Sequence, residues 1–312
     1  MKGQLSEAAA VAGGRLEGRD AEFAGVSTDS RSIERGMLFV ALHGERFDGH
    51  EFVAGAAGRG AAGAVVSRAI DAPLPQVVVG DTLAALAAIA ADWRARSGAI
   101  VLGVGGSNGK TTTKEMLAAI LAGAGATLAT RGNLNNHIGV PLTLLRLEPG
   151  HRFAVIEMGA NHPGEIAALA ALAKPSIALV TNAGDEHLEG FGDLEGVARA
   201  EGEMYAALGT GGIAIVNSDD TFAALWESMA PPGADILRFG IDARADVRAA
   251  SIQGRIEAGA FATTFTLAWL SPDEWRALLE RTGFQVLGCF GWFDRRPYGG
   301  GEDTVWIARR PR

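Results

Sequence analysis

A glycine-rich run between an apolar segment and a helical pattern is the clearest chemical signal in the chain. Residues 103–112 have the sequence GVGGSNGKTT. Backbone N–H groups and the helix dipole at such a turn favour a bound anion. The ammonium of Lys110 can neutralise phosphate charge, and the Thr111 hydroxyl can ligate Mg²⁺. The run therefore predicts a nucleoside triphosphate site formed by Gly106, Ser107, Asn108, Gly109, Lys110, Thr111 and Thr112.

The run departs from the strict Walker pattern, because Val104 rather than a glycine stands five positions before Gly109. The alternative is a plain glycine turn with an exposed lysine. Lysine is scarce here, however, with four among the 28 basic residues. A lysine at this position, after a strand and before a helix, favours the phosphate site.

Two further side chains could complete a metal site beside the loop. Glu157 ends the apolar run AVIE, and His187 follows the apolar run ALVTN. Open α/β sheets bind ligands outside the carboxyl ends of their strands, which is where both residues are expected. A carboxylate suits Mg²⁺, whereas histidine is a less typical ligand for it. A polar loop residue is the alternative for His187.

Strand and helix patterns alternate through the middle of the chain. Apolar strand-like runs occupy 99–104, 152–159, 176–184 and 211–217, and helical patterns occupy 111–125, 162–174 and 195–208. Alternation of this kind indicates a parallel sheet wound with right-handed crossovers. The expected fold class is α/β, with a small N-terminal α/β domain before a mostly parallel-sheet, P-loop-type central domain.

Three parts of the chain are expected. Residues 1–80 form the small α/β domain, with strands in the runs 37–42 and 61–67. Residues 81–267 form the central domain, which opens on a helix that Asp81 caps. After about residue 235, ILRFG at 236–240 and ATTFTLAW at 262–269 are expected to be strands of a more antiparallel tail. Residues 268–312 form a tail of different origin.

Composition limits the class of protein. Of the 312 residues, 48% are hydrophobic and 21% charged, and neither a membrane span of about 18 apolar residues nor a secretory signal is expected. A cytoplasmic location is the prediction. The net charge of −8 argues against a nucleic-acid-binding face. The single cysteine, Cys289, permits neither an intrachain disulfide nor a thiolate metal cage. The oligomeric state stays open.

Five stretches of the sequence resemble the Mur ligases of peptidoglycan synthesis, in the order expected for that family. They are VSTDSRSIERGMLFVALHGERFDGHEF at 26–52, GSNGKTTTKEML at 106–117, GNLNNHIGVPLTLL at 132–145, EMGANHPGEI at 157–166 and TNAGDEHLEGFGDLEGVARAEGE at 181–203. The last two are similar to the members that add D-alanyl-D-alanine to UDP-N-acetylmuramoyl-tripeptide.

The resemblance implies roles for individual residues. It implies a UDP-sugar site at Ser30 and Arg31, an ATP site in the glycine-rich run, and a nucleotide contact at Asn182. It also implies Mg²⁺ near Thr111, Glu157 and His187, and a substrate-facing loop formed by Asn135, Asn136 and His137. The alternatives are an Asx turn at Asn182 and a plain turn at the asparagine cluster.

The resemblance also implies the reaction, in which ATP phosphorylates the peptide carboxylate and the amine of D-alanyl-D-alanine displaces phosphate. Catalysis then rests on Lys110, Glu157 and His187 without a covalent nucleophile. Two residues differ from the family pattern. Gly105 replaces the usual threonine, and Glu201 replaces a lysine whose carbamate helps to hold a second Mg²⁺. Glu201 is therefore a further candidate metal ligand.

The similarity fades near residue 267, so the central domain is expected to be incomplete and the closing third domain of the family to be missing. The stretch from 270 to 311 resembles the final helix and strands of a class I S-adenosylmethionine methyltransferase, beginning at Ser271 and Pro272. A non-catalytic appendage is the alternative for this tail. For the whole chain, the alternative to a ligase is a module that binds ATP or the UDP precursor without completing the reaction.

Overall fold

A computed structural model describes residues 1–44, 47–185, 188–241, 244–248, 251–257, 260–266, 285–290 and 305–309. None of the helices in these ranges combines the length and the apolar character that crossing a membrane requires. The α-helices are α1 Leu5–Val11, α2 Val53–Gly58, α3 Thr82–Ala95, α4 Lys110–Ala122, α5 Gly139–Leu144, α6 Glu165–Ala173, α7 Leu188–Phe191, α8 Leu194–Ala206 and α9 Ala223–Met229.

Five strands precede the central sheet in a sheet of their own. They are β2 Arg15–Glu17, β4 Val26–Ser27, β5 Leu38–Val40, β8 Gly63–Val66 and β9 Gln76–Val78, in the order β2-β9-β8-β5-β4. β2 pairs antiparallel with β9, and the other pairs are parallel. Two short antiparallel pairs accompany them, β1 Lys2–Gln4 with β3 Glu22–Ala24 and β6 His43–Gly44 with β7 Phe47–Asp48. The strands predicted at 37–42 and 61–67 are confirmed as β5 and β8.

The central strands form a parallel sheet in the order β11-β12-β10-β13, with bounds Ile100–Gly105 for β10, Thr127–Ala129 for β11, Phe153–Glu157 for β12 and Ile177–Val180 for β13. β12 is buried along its whole length, as expected of a strand covered on both faces. Val104 pairs with Glu157 and Gly105 pairs with Val180. The carboxyl ends of β10, β12 and β13 therefore meet at one edge, and the predicted α/β class is confirmed.

Contacts divide the chain into two units, residues 1–214 with 224–235, and residues 215–223 with 236–312. β14, Ile213–Asn217, begins in the first unit, where the N–H of Ile213 donates to the Ser176 carbonyl. The second unit contains β15 Asp235–Gly240 from residue 236 onward, and the strands β16 Val247–Arg248, β17 Ser251–Glu257, β18 Ala260–Thr266, β19 Gln285–Phe290 and β20 Val305–Arg309.

The second unit corrects one expectation and confirms another. β15, which contains the run ILRFG, pairs with β16 in parallel, so an antiparallel strand there was wrong. The run ATTFTLAW does contribute an antiparallel strand, because β17 pairs antiparallel with β18. β19 and β20 form another antiparallel pair. The helix expected from Ser271 lies outside the described residues, and the division at residues 80 and 267 stays a prediction.

The carboxylate of Asp81 caps α3, as the sequence predicts. Its Oδ1 accepts hydrogen bonds from the N–H groups of Leu83 at 2.7 Å and Ala84 at 3.1 Å. These are first-turn donors that the helix itself cannot satisfy. The helix then packs its apolar side inward through Leu86 and Ile89.

Arg94 connects the C-terminal end of α3 to the C-terminal end of α6 through hydrogen bonds. Its guanidinium donates to the carbonyls of Ala173 at 2.8 Å, Ser97 at 3.0 Å and Lys174 at 3.2 Å. The residue is 8% exposed, and burial lowers the pKa of the guanidinium. A cation at carbonyl groups that end a helix is favoured by the helix dipole.

We expect Arg94→Met to lower the free energy of unfolding by about 3 kcal/mol, because buried carbonyl acceptors lose charged donors. Urea denaturation measures the change. Arg96→Met is the matched control, since the Arg96 side chain is 49% exposed and pairs with Asp92 on the same helix. Its cost should be about 0.5 kcal/mol. Equal losses in the two variants would contradict this role of Arg94.

Candidate functional site

The glycine-rich loop joins the end of β10 to the start of α4. Gly106 has φ 110° and Gly109 has φ 84°, both in the left-handed region that favours glycine. A Cβ atom at Gly106 would also collide with the side chain of Thr181. The loop thus needs glycine at both positions for conformation, and at Gly106 also for space. It directs the N-terminus of α4 toward the sheet edge where ligands are expected.

The Lys110 ammonium folds back over this loop. Its Nζ donates to the carbonyl of Gly106 at 2.5 Å and to that of Ser107 at 2.8 Å. The positive charge lies beside the first turn of α4, where the helix dipole adds further positive potential. The arrangement fits a polyphosphate anion, as the sequence predicts.

The segment after β13 holds the loop from the other side. Asn182 Oδ1 accepts the Asn108 N–H at 3.1 Å, and Asn182 Nδ2 donates to the Asn108 carbonyl at 3.0 Å. The Ser107 N–H donates to the Asn182 carbonyl at 2.9 Å. Thr181 Oγ1 donates to the Asn108 carbonyl at 2.6 Å. In this structure, Asn182 fixes the loop backbone, a long-range role that its sequence neighbours could not reveal.

Glu157 is the centre of a buried polar cluster at the end of β12. The residue is 1% exposed. Thr111 Oγ1 donates to its Oε2 at 3.1 Å, and Asn135 Nδ2 donates to its Oε1 at 2.9 Å. The structure therefore brings together Thr111, Glu157 and Asn135. Mg²⁺ prefers hydroxyl and carboxylate oxygens as ligands, so the residues present fit that ion. His187 lies outside the described residues.

Lys114 is a member of this cluster that sequence reasoning missed. Its side chain is 0% exposed, with Nζ 2.9 Å from Glu115 Oε1 and 3.7 Å from Glu157 Oε2. It also donates to the Gly132 carbonyl at 3.3 Å. The available signal was its spacing, because a residue three positions after Thr111 lies on the same face of a helix. A buried ammonium beside Glu157 partly compensates that carboxylate.

Glu201 reaches the loop from α8. The residue is 6% exposed, and its Oε2 accepts the Gly106 N–H at 2.6 Å. It lines a cleft of about 180 Å³ that also receives the Lys110 side chain. The other lining residues are Ser107, Asn135, Asn136, Gly159, Ala160, Asn161, Phe191 and Val197. A carboxylate, the lysine and the asparagine loop therefore share one cleft.

The remaining residues predicted for the site lie at the edge of the cleft around Lys110 or outside it. Asn136 lines the cleft, but its Oδ1 also accepts the N–H groups of Ile138 and Gly139 at the start of α5. His137 is exposed and does not line the cleft. Thr112 is an exposed residue in the first turn of α4. The turn alternative for the asparagine cluster therefore describes part of what Asn136 does.

Ser30 and Arg31 lie in a short 3-10 helix, Ser30–Ser32, that follows β4. The Arg31 Nη2 lies 2.8 Å from Asp29 Oδ2, with the Arg31 side chain 86% exposed. Neither Ser30 nor Arg31 lines the cleft around Lys110. Hydrogen bonds from Arg31 lower the pKa of Asp29 to about 2.

We expect the Asp29 carboxyl to titrate near pH 2, and Arg31→Met to move its midpoint toward the ordinary value of 3.8. A carboxyl with a lowered pKa favours the folded state above its ordinary pKa, and this contribution is lost as the pH falls through about 2. A ¹³C NMR titration of the carboxyl carbon measures the midpoint. A wild-type midpoint at the ordinary value would contradict the pairing.

Comparison with known proteins assigns most of the chain to two family descriptions. Residues 104–271 match the Mur ligase middle domain, and residues 22–94 match the Mur ligase family, catalytic domain. Among curated relatives, UDP-N-acetylmuramoyl-tripeptide--D-alanyl-D-alanine ligase of Escherichia coli K12 is 50% identical over 225 residues, which are 72% of this chain and 50% of that protein. The same-named Bacillus subtilis protein is 43% identical over 63% of this chain and 44% of its own length.

Solved structures show the same likeness. A crystal structure of MurF from Acinetobacter baumannii has a TM-score of 0.75 and 37% identity, and the match covers 85% of this chain and 60% of that chain. MurF from Thermotoga maritima in complex with ADP has a TM-score of 0.66 and 27% identity, over 83% of this chain and 63% of that chain. The present chain spans about half the length of the curated relatives it matches.

Proposed function

We propose, because the chain belongs to the Mur ligase family, that it binds ATP and the acceptor of an ATP-dependent ligase. The reaction we propose joins D-alanyl-D-alanine to UDP-N-acetylmuramoyl-tripeptide, the activity in the names of its curated relatives. The observation that carries the proposal is the Lys110 ammonium over the glycine loop, with Thr111 in contact with buried Glu157.

The nucleotide site is proposed at Gly106, Ser107, Asn108, Gly109, Lys110, Thr111 and Thr112, with Asn182 holding the loop. Lys110 places a positive charge where phosphoryl transfer would develop negative charge. Thr111 and Glu157 would hold Mg²⁺ through oxygen atoms, with His187 and Glu201 as further candidate ligands. ATP supplies the phosphoryl group that activates the acceptor carboxylate, and the dipeptide amine then displaces phosphate to form an amide.

The acceptor is proposed to reach the same cleft through the asparagine loop. Asn135 already donates to Glu157 and lines the cleft beside Lys110. Asn136 and His137 follow it on the same loop, and Ser30 and Arg31 are proposed to contact the UDP-sugar. Phe191 and Val197 form an apolar wall of the cleft. This wall would limit the access of water to the reacting groups. Since ATP and the UDP-linked acceptor are nucleotide metabolites, we propose that the reaction takes place in the cytoplasm.

The experiment mixes this chain with ATP, Mg²⁺, UDP-N-acetylmuramoyl-tripeptide and D-alanyl-D-alanine. Phosphate release and the mass of the UDP-linked product are measured. We expect release that requires both the acceptor and the dipeptide, and a product heavier by one dipeptide residue unit. D-alanine in place of the dipeptide is the matched control. ATP binding without dipeptide-dependent release would contradict the ligase and support the binding module.

A further inference from the structure

Arg146 is a partly exposed residue with one buried nitrogen that has no hydrogen-bond partner. Among the residues whose side chains the structure describes, Arg146 Nη1 is the one buried side-chain nitrogen or oxygen that has no hydrogen-bond partner. A buried donor without a partner lowers stability, by about 1–3 kcal/mol for a neutral group. Native proteins keep such a group where a ligand or function compensates it.

A second guanidinium increases this cost. The positive charge of Arg131 acts on Arg146, and burial together with that charge lowers the pKa of Arg146. No ion pair with an acidic residue is found for either arginine within the described part of the chain. Two like charges without an acidic partner favour an anion between them.

Both arginines line a cavity of about 670 Å³. Arg131 is exposed and Arg146 is partly exposed, and both side chains contribute to the lining of the cavity. Leu128, Leu142 and Leu145 provide apolar wall, and Glu148 is the acidic residue in the lining. This volume is within the range of small-molecule sites, about 300–1,000 Å³.

This cavity is separate from the cleft around Lys110, because the two share no lining residue. Ser27 and Ser32, whose hydroxyls lie 2.8 Å apart, add hydroxyl groups to the lining. Two guanidinium charges match the charge of a phosphate or diphosphate group better than the single charge of a carboxylate, and the hydroxyl groups and apolar wall suit the organic part of such a molecule.

We propose that Arg131 and Arg146 form a second anion site, which binds the phosphate or diphosphate group of a small molecule in this cavity. Arg146 and Arg131 both contact the anion. The proposal does not depend on the ligase activity, since it follows from the two guanidinium groups and the cavity they line.

The test compares wild type with Arg146→Met, which keeps the side-chain length and removes the charge. In buffer without polyanions, we expect the variant to have the higher Tm, because the repulsion from Arg131 and the unpartnered buried nitrogen are both removed. Calorimetric titration with pyrophosphate should find two sites in wild type, one at the glycine loop and one here, and one site in the variant. Equal stoichiometry in both proteins would overturn the proposal.

A second variant controls for a folding defect in Arg146→Met. Arg131→Met changes an exposed residue, and we expect about tenfold weaker pyrophosphate binding at this site, as for the loss of about 1.4 kcal/mol. Arg19→Met, an exposed arginine outside the cavity lining, should leave both sites unchanged. Unaltered binding in Arg131→Met would also overturn the proposal.

Titration with UDP in place of pyrophosphate identifies the source of the phosphate, with uridine as the uncharged control. A UDP site that Arg146→Met removes and Arg31→Met retains would show that the anion arrives on a nucleotide. A second site for pyrophosphate alone would show a free anion. Either result supports the Arg131 and Arg146 site, whereas binding of uridine equal to that of UDP would contradict a phosphate-directed one.

Discussion

Lys110→Ala is expected to weaken binding of ATP with Mg²⁺ by about 100-fold, equivalent to about 2.7 kcal/mol. The substitution removes the ammonium beside the loop and both hydrogen bonds that close it, to the carbonyls of Gly106 and Ser107. Charge-assisted contacts with phosphate contribute energies of this size. Isothermal titration calorimetry measures the affinity directly.

Two variants control this measurement. Lys110→Arg retains the positive charge but replaces a compact ammonium by a planar fork, so binding should recover only in part. Lys2→Ala alters an exposed lysine of the N-terminal strand and should leave the affinity unchanged. ATP affinity in Lys110→Ala equal to that of wild type would mean that the loop does not bind the triphosphate.

Lys114→Met is expected to lower the free energy of unfolding by about 3–5 kcal/mol, the cost of breaking a buried ion pair. Its Nζ lies 3.7 Å from Glu157 Oε2, and both residues are almost wholly buried. Methionine fills much of the space but leaves the Glu157 carboxylate without that compensating charge. Urea denaturation of the purified variants measures the loss.

A double variant separates charge from packing. Adding Glu157→Gln to Lys114→Met should restore part of the stability, because no uncompensated carboxylate remains. Lys2→Met, at an exposed position, should change stability by less than about 0.5 kcal/mol. A double variant less stable than Lys114→Met alone would argue that Lys114 acts through packing rather than through charge.

Local signals predicted much of the central fold. The run at 99–104 and the helical pattern after it correspond to β10 and α4, and Asp81 caps α3 as expected. These features depend on residues within a few positions of each other, which is the range that periodicity and capping patterns report. The parallel order of the central strands followed from their alternation with helices.

Contacts between distant residues could not be predicted in this way. The pairing of Asn182 with Asn108 joins positions 74 apart, and the contact of buried Lys114 with Glu157 depends on the position of β12 beside α4. The parallel pairing of β15 was missed since a short alternating run does not determine the direction of its neighbour. The proposed roles of Ser30, Arg31 and His187 stay predictions.

The glycine loop has most of its own N–H groups already in use. Those of Gly106, Ser107 and Asn108 donate to Glu201 and Asn182. A polyphosphate would therefore bind to the N–H groups of Thr111 and Thr112 in the first turn of α4 and to the Lys110 ammonium. The loop and the helix already have this conformation without the ligand. Such preorganisation lowers the conformational entropy lost on binding, so nucleotide recognition here would require little rearrangement of the backbone.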